Sequence, residues 1–178
     1  MSDAEVVIRR ATRREIPEVE ELSVAAYAQY RSEVPASVFE GYVADLRRLS
    51  DSWQEAEVLV AEVAGRIDGS VQFFADASTE GLGLPQGWAG FRKLAVHPRA
   101  RGRGLGRRLT EACLDGARAR SAPTVGIHTA SFMRAARKIY EQMGFRRCAE
   151  FDLSAADLGL GEAGAEVGVI AYRLDVAL

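Results

Sequence analysis

Leu94-Ala95-Val96-His97-Pro98-Arg99-Ala100-Arg101-Gly102-Arg103-Gly104-Leu105-Gly106-Arg107-Arg108 joins the end of an apolar segment to the start of an amphipathic one. From Arg92 to Arg108 there are seven basic residues and no acid, in a chain whose net charge is only -2. Pro98 favours an exit from regular pairing. Gly102, Gly104 and Gly106 let the backbone turn tightly and bring its amides close to a ligand. Beyond them, Leu105, Leu109, Ala112, Cys113 and Ala117 recur at helical spacing, with Arg107/Glu111 and Asp115/Arg118 pairs on the other face. A helix start offers unbonded N–H groups and partial positive charge. Arginines add charge-assisted bonds to phosphate oxygens. The stretch reads as a cradle for a diphosphate.

Two nucleotide motifs fail on spacing. A P-loop needs Lys-Ser/Thr after its last glycine, where Arg107-Arg108 stands. A dinucleotide fingerprint would need glycine at position 107 or 109, which are Arg107 and Leu109. A nucleic-acid patch is disfavoured, because Phe91 is the one aromatic beside the basic run and the overall charge is negative.

Outward from the loop, the period of the chain changes several times. Val6-Val7-Ile8 opens as a strand, and Thr12-Arg13-Arg14-Glu15 has the form of a capping box. Ile16, Val19, Leu22 and Ala26 predict a helix to about Tyr30, and Val38, Tyr42, Leu46 and Leu49 a second over about 37–49. Strands at 57–63 and 68–74 flank a Gly65-Arg66 turn as an antiparallel hairpin. A Gly-rich loop over about 76–87 leads to a strand at 88–96. After the Gly/Arg loop and its helix come a strand at 124–129 and a helix at 133–143 stopped by Gly144. Strands at 145–151 and 167–176, joined by a long loop of small residues, end the chain. This order of hairpins and crossovers predicts one mixed α/β (α+β) sheet with helices on both faces. At 178 residues and 48% hydrophobic, the chain suits a single domain over 1–178.

Other features narrow the function classes. No apolar run of membrane-spanning length occurs, and MSDAEVVIRR lacks the apolar core of a secretion signal, so a cytoplasmic protein without membrane partner is expected. Cys113 and Cys148 are 35 positions apart, and His97 and His128 are the only histidines. Free thiols and no metal site are the expectation. His97 reads as a turn residue, Cys113 as packing, and His128 as a residue that either faces an acceptor or fills the sheet. Residues 1–57 hold twelve acids and seven bases, a local charge of -5.

Arg101-x-x-Gly104-x-Gly106, preceded by Leu94-Ala95-Val96-His97-Pro98, resembles the Arg/Gln-x-x-Gly-x-Gly/Ala signature of the GCN5-related N-acetyltransferase (GNAT) superfamily. Ala136-Arg137-Lys138-Ile139-Tyr140 through Gly144-Phe145 is similar to that family's Ala-x-x-Leu-Tyr-x-x-x-Gly-Phe segment. The resemblance covers nearly the whole order of elements and implies a mostly antiparallel sheet of six to seven strands. It implies transfer of an acetyl group from acetyl-CoA to a primary amine of a small molecule or peptide, by direct attack in a ternary complex. A catalytically silent acyl-CoA sensor of the same fold is the alternative.

The resemblance also assigns roles. Leu94, Ala95 and Val96 would offer backbone groups to the pantetheine arm, and Arg101, Gly102, Arg103, Gly104, Leu105, Gly106 and Arg107 would hold the diphosphate. Tyr140 would protonate the departing thiolate, which suits a phenol of pKa ~10. Tyr27, Tyr30 and Glu33, from the helices that commonly wall the acceptor pocket, would hold a cationic substrate together with His128. No nucleic acid or metal is implied, and homodimers are common in the family. Met133 stands where many members carry Asn, and no acid lies between Gly87 and Val96, where many carry a base.

Overall fold

The computed structural model describes residues 5–154, 156–159 and 167–176. Within these lie strands β1 (Val6–Arg10), β2 (Ala56–Val63), β3 (Arg66–Phe74), β4 (Ala89–Val96), β5 (Thr124–Ala130), β6 (Arg146–Arg147), β7 (Leu153–Ser154) and β8 (Gly168–Asp175). The helices are α1 (Ile16–Tyr27), α2 (Ala36–Leu46), α3 (Leu105–Ala119) and α4 (Arg134–Gln142). The sheet runs β1-β2-β3-β4-β5-β8-β6, with β7 also on β8. Every strand pair is antiparallel except β4 with β5.

Alternation along the strands separates two cores. Val58, Val60 and Ile67 pack beneath Ile16, Val19 and Leu22 of α1. Phe73, Phe91, Val125 and Ile127 pack with Leu105, Leu109 and Cys113 of α3 and Tyr140 of α4. The capping box at Thr12 forms, Glu15 accepting from the Thr12 amide at 2.7 Å.

Three expectations change in the structure. The sheet has eight strands rather than six or seven, because β6 and β7 are two-residue strands. The strand expected over 145–151 is only β6 followed by a 3-10 turn at Ala149–Phe151. Pairing is diverted there: the Cys148 amide bonds the Ala171 carbonyl, and the Asp152 carboxylate takes the Ala171 amide at 2.8 Å. The first two helices stop early, the first at Tyr27 running on into a 3-10 turn at Ala28–Tyr30, the second at Leu46 ahead of a separate 3-10 turn at Leu49–Ser52. The small-residue loop before β8, like the N-terminal residues, lies largely outside the described residues.

The feature that makes the site is a defect in β4. Gln72 of β3 faces Arg92, but Ser70 faces Ala95, so β4 carries one residue more than its partner. Lys93 sits in that bulge at φ +54°, a left-handed conformation that costs a side-chain-bearing residue roughly 1–2 kcal/mol. Its ammonium donates to the Asp45 carbonyl at 2.7 Å and lies 3.2 Å from the Asp45 carboxylate, at the C-terminal end of α2. β4 pairs with β5 only at Ala89/Val125 and Gly90/Gly126, and from Phe91 on, through the bulge, the two strands are unpaired.

Candidate active site

The gap between the splayed strands opens as a cavity of about 380 Å³. Its walls are Phe91 to Val96 of β4, the loop ahead of α3, His128 and Thr129 of β5, and Met133 and Tyr140 beside and within α4. Gly102 (φ +76°) and Gly104 (φ +72°) take left-handed conformations that turn the chain into α3. The Arg108 amide is the first of the helix to find a carbonyl, that of Gly104 at 3.1 Å. Among the described residues, no carbonyl accepts from the amides of Gly102 through Arg107. A run of unsatisfied donors at a helix N-terminus favours an anion.

The arginines of this segment are occupied differently from what their sequence suggests. Arg99 bonds the buried carboxylate of Asp68 at 2.8 Å, Arg101 the Ala26 carbonyl at 2.9 Å, Arg107 the Glu111 carboxylate at 2.9 Å and Arg108 the Val6 carbonyl at 3.1 Å. The arginines are thus engaged within the protein, whereas the backbone amides of Gly102 through Arg107 have no carbonyl partner among the described residues. Burial alone would raise the Asp68 pKa, but its bonds with Arg66 and Arg99 outweigh that and hold it low. Arg103 is exposed and lines no part of the cavity.

Tyr140 is buried, its ring edge-to-face with Phe91 at 5.7 Å and tilted against Phe145 at 5.7 Å. Burial drives its phenol pKa well above 10, so the hydroxyl keeps its proton. His97 accepts from the Arg99 amide at 3.3 Å as a turn residue, and Cys113 is fully buried with its thiol pKa pushed up.

A smaller cavity of about 60 Å³ shares Tyr27, Arg92, Lys93, His128, Thr129 and Met133 with the first, and continues to Tyr42, Asp45 and Leu46. Tyr27, Tyr30, Tyr42 and Phe132 close one side of this region through edge and tilted contacts at 5.3–6.4 Å. Tyr27 and Tyr30 are thus at the site, whereas Glu33 is exposed and lines neither cavity. The acid that is present is Asp45, and Glu80 lies 3.7 Å from Arg92 without lining either cavity. Both were missed by sequence reasoning. Asp45 sits on the helix face of Tyr42 and Leu46, while Glu80 lies in a Gly-rich loop that gives no periodic signal. His128 lines both cavities and bonds the Phe151 carbonyl through Nε2 at 2.8 Å. A carbonyl only accepts, so Nε2 carries the ring proton.

A family model, the acetyltransferase (GNAT) domain, matches residues 54–147, the span from β2 through the splayed strands and the glycine loop to α4 and β6. The chain belongs to the GNAT acetyltransferase family. A candidate GNAT acetyltransferase from Desulfovibrio desulfuricans superposes with TM-score 0.71 at 20% identity, covering 97% of this chain and 100% of its own. A candidate acetyltransferase from Salmonella typhimurium, yncA, solved with its cofactor acetyl-CoA, gives TM-score 0.66 at 19% identity over 98% and 96% of the two chains. The ribosomal-protein-S18-alanine N-acetyltransferase of Escherichia coli gives 0.66 at 15% over the same shares. Likeness at these identities shows the GNAT fold. No curated protein matches in sequence. Among the described residues no helix is long and apolar enough to cross a membrane, and no group of three or more His, Cys, Asp or Glu could hold a metal.

Proposed function

We propose that this GNAT protein is an N-acetyltransferase, working over residues 1–178 as one domain and passing an acetyl group from acetyl-CoA to a primary amine. The observation that carries the reading is the row of amides from Gly102 to Arg107, which meets no carbonyl among the described residues and stands at the start of α3 on the cavity wall. Those amides fit a diphosphate, and the edge of β4 from Leu94 to Val96, unpaired with β5, fits an amide-bearing arm. Met133, in place of the Asn common in the family, lines the cavity with an apolar surface, so the arm is held mainly by backbone.

Acetyl-CoA supplies an acyl group already activated as a thioester. Transfer forms one C–N bond and breaks one C–S bond; the amine gives up a proton and the departing thiolate takes one. In this reading, backbone N–H groups at the splayed end of β4 stabilise charge developing on the acyl oxygen. Tyr140 holds the proton for the thiolate. The apolar surroundings that raise its pKa also destabilise a thiolate formed beside it, so donor and acceptor remain matched. Tyr27, Tyr30 and His128 wall the side from which the amine arrives.

Calorimetric titration with acetyl-CoA tests binding, and thiol release with a panel of amines tests turnover. Saturable binding with turnover of at least one amine is expected. Binding without turnover of any amine would leave a silent sensor, and no binding would remove the reading.

A further inference from the structure

Three buried side-chain atoms among the described residues have no hydrogen-bond partner: Gln72 Nε2, Glu80 Oε1 and His128 Nδ1. All three belong to the surroundings of one residue, Arg92. Gln72 is its register partner on β3, so the two side chains share a face. Glu80 Oε2 lies 3.7 Å from Arg92 Nε. His128 lines the same two cavities as Arg92 from the neighbouring strand. Unsatisfied buried polar atoms are rare in native proteins, and of these three residues it is His128 that lines the cavities beside Arg92.

The charge balance gives the guest's sign. Arg92 is only 21% exposed, yet its best contact is the Asp45 carboxylate at 3.5 Å, the outer limit of a hydrogen bond. Asp45 is already engaged by Lys93 at 3.2 Å. Glu80 makes no hydrogen bond to Arg92, its nearer oxygen staying 3.7 Å from Nε, and burial pushes its pKa up. Among the described residues the Arg92 guanidinium is thus left with no polar contact shorter than 3.5 Å, beside a Lys93 that already holds Asp45. The cavity beside them has an apolar wall of Leu46, Leu82 and Val169, with His128 and Thr129 contributed by β5.

We propose that the acceptor is an amine that also carries a carboxylate on a small apolar skeleton, and that Arg92 reads the carboxylate at the junction of the two cavities. This inference rests on the acetyl-transfer reading and narrows its acceptor class. A guanidinium is suited to the task because its fork matches the two carboxylate oxygens. The proposal narrows the cationic substrate expected from the acidic first third of the chain to an amine that also carries a negative charge.

The test uses the whole protein saturated with acetyl-CoA and measures thiol release with L-leucine, L-leucinamide and 3-methylbutylamine. The same comparison is run for each other apolar amino acid against its amide. At least one carboxylate-bearing member is expected to exceed its amide by roughly 10- to 100-fold in kcat/KM, the scale of a hydrogen-bonded charged group. Arg92→Gln is expected to collapse that gap while acetyl-CoA affinity persists. Should the amides or the decarboxylated amine react as well as the acids, or should no carboxylate-bearing amine react, the proposal is overturned. The wild-type comparison decides even where the variant fails to fold. Loss of acetyl-CoA binding in the wild type would instead strike the acetyl-transfer reading itself.

Discussion

The guanidinium of Arg101 donates to the carbonyl of Ala26 at 2.9 Å, fastening the loop ahead of α3 to the last turn of α1. The most diagnostic arginine of the loop thus acts through the protein's own backbone. Arg101→Ala is predicted to cost ~1–2 kcal/mol of stability and to weaken acetyl-CoA binding because the loop is unmoored. Melting temperature and calorimetry check both. A variant that binds normally would show the anchor to be dispensable.

Gly104 and Gly106 separate conformational from steric demands. A Cβ at Gly104 would meet nothing within 4 Å, but the residue sits at φ +72°. Gly104→Ala should therefore destabilise by about 1–2 kcal/mol through backbone strain alone, with Gly104→Asn milder. At Gly106 the added methyl would meet Ile139 Cδ1 at 3.1 Å, a flexible chain end that can yield. Gly106→Ala should cost less in stability than Gly104→Ala. Denaturant midpoints of the three variants test the order.

Tyr140→Phe keeps the ring against Phe91 and Phe145 and removes only the proton. kcat is predicted to fall ~100-fold or more with KM for acetyl-CoA unchanged. Because the folded phenol titrates well above 10, the wild-type rate should climb as the acceptor amine deprotonates and show no alkaline fall below about pH 10. A pH–rate profile that drops earlier would argue against Tyr140 as the proton donor.

Glu80 links the site to pH-dependent stability. Burial raises its folded pKa from 4.5 to about 8, so between those values the folded protein holds a proton that the unfolded chain has released. Stability must then decline as pH rises through that window. Glu80→Gln should raise the melting temperature at about pH 8 and lose the advantage below about pH 4.5, at roughly 2–4 °C for each 1 kcal/mol. Thermal scans across this range give the sign directly.

Much of this architecture is legible in the sequence where signals are local. The glycine spacing and apolar stripe from Leu105 to Ala117 place α3, and the run from Ala136 to Phe145 places α4 with Tyr140 on its buried face. What escapes is set by distant partners. Nothing in Arg92-Lys93-Leu94 marks Lys93 as left-handed, because its compensation comes from Asp45, far away on α2. The strand expected over 145–151 stops after Arg147, since Cys148 and Asp152 divert that edge of β8. Glu33 looks like a site acid in an acidic segment, yet the turn after α1 carries it outward and α2 brings Asp45 in.

The claim on which the rest depends is that backbone amides at the start of α3 receive a diphosphate. A crystal structure with acetyl-CoA bound measures it. The predicted result is phosphate oxygens within about 2.7–3.2 Å of several amides between Gly102 and Arg107, with the thioester end directed between β4 and Tyr140. A diphosphate bound elsewhere, or those amides turned onto the protein's own carbonyls, would contradict the account.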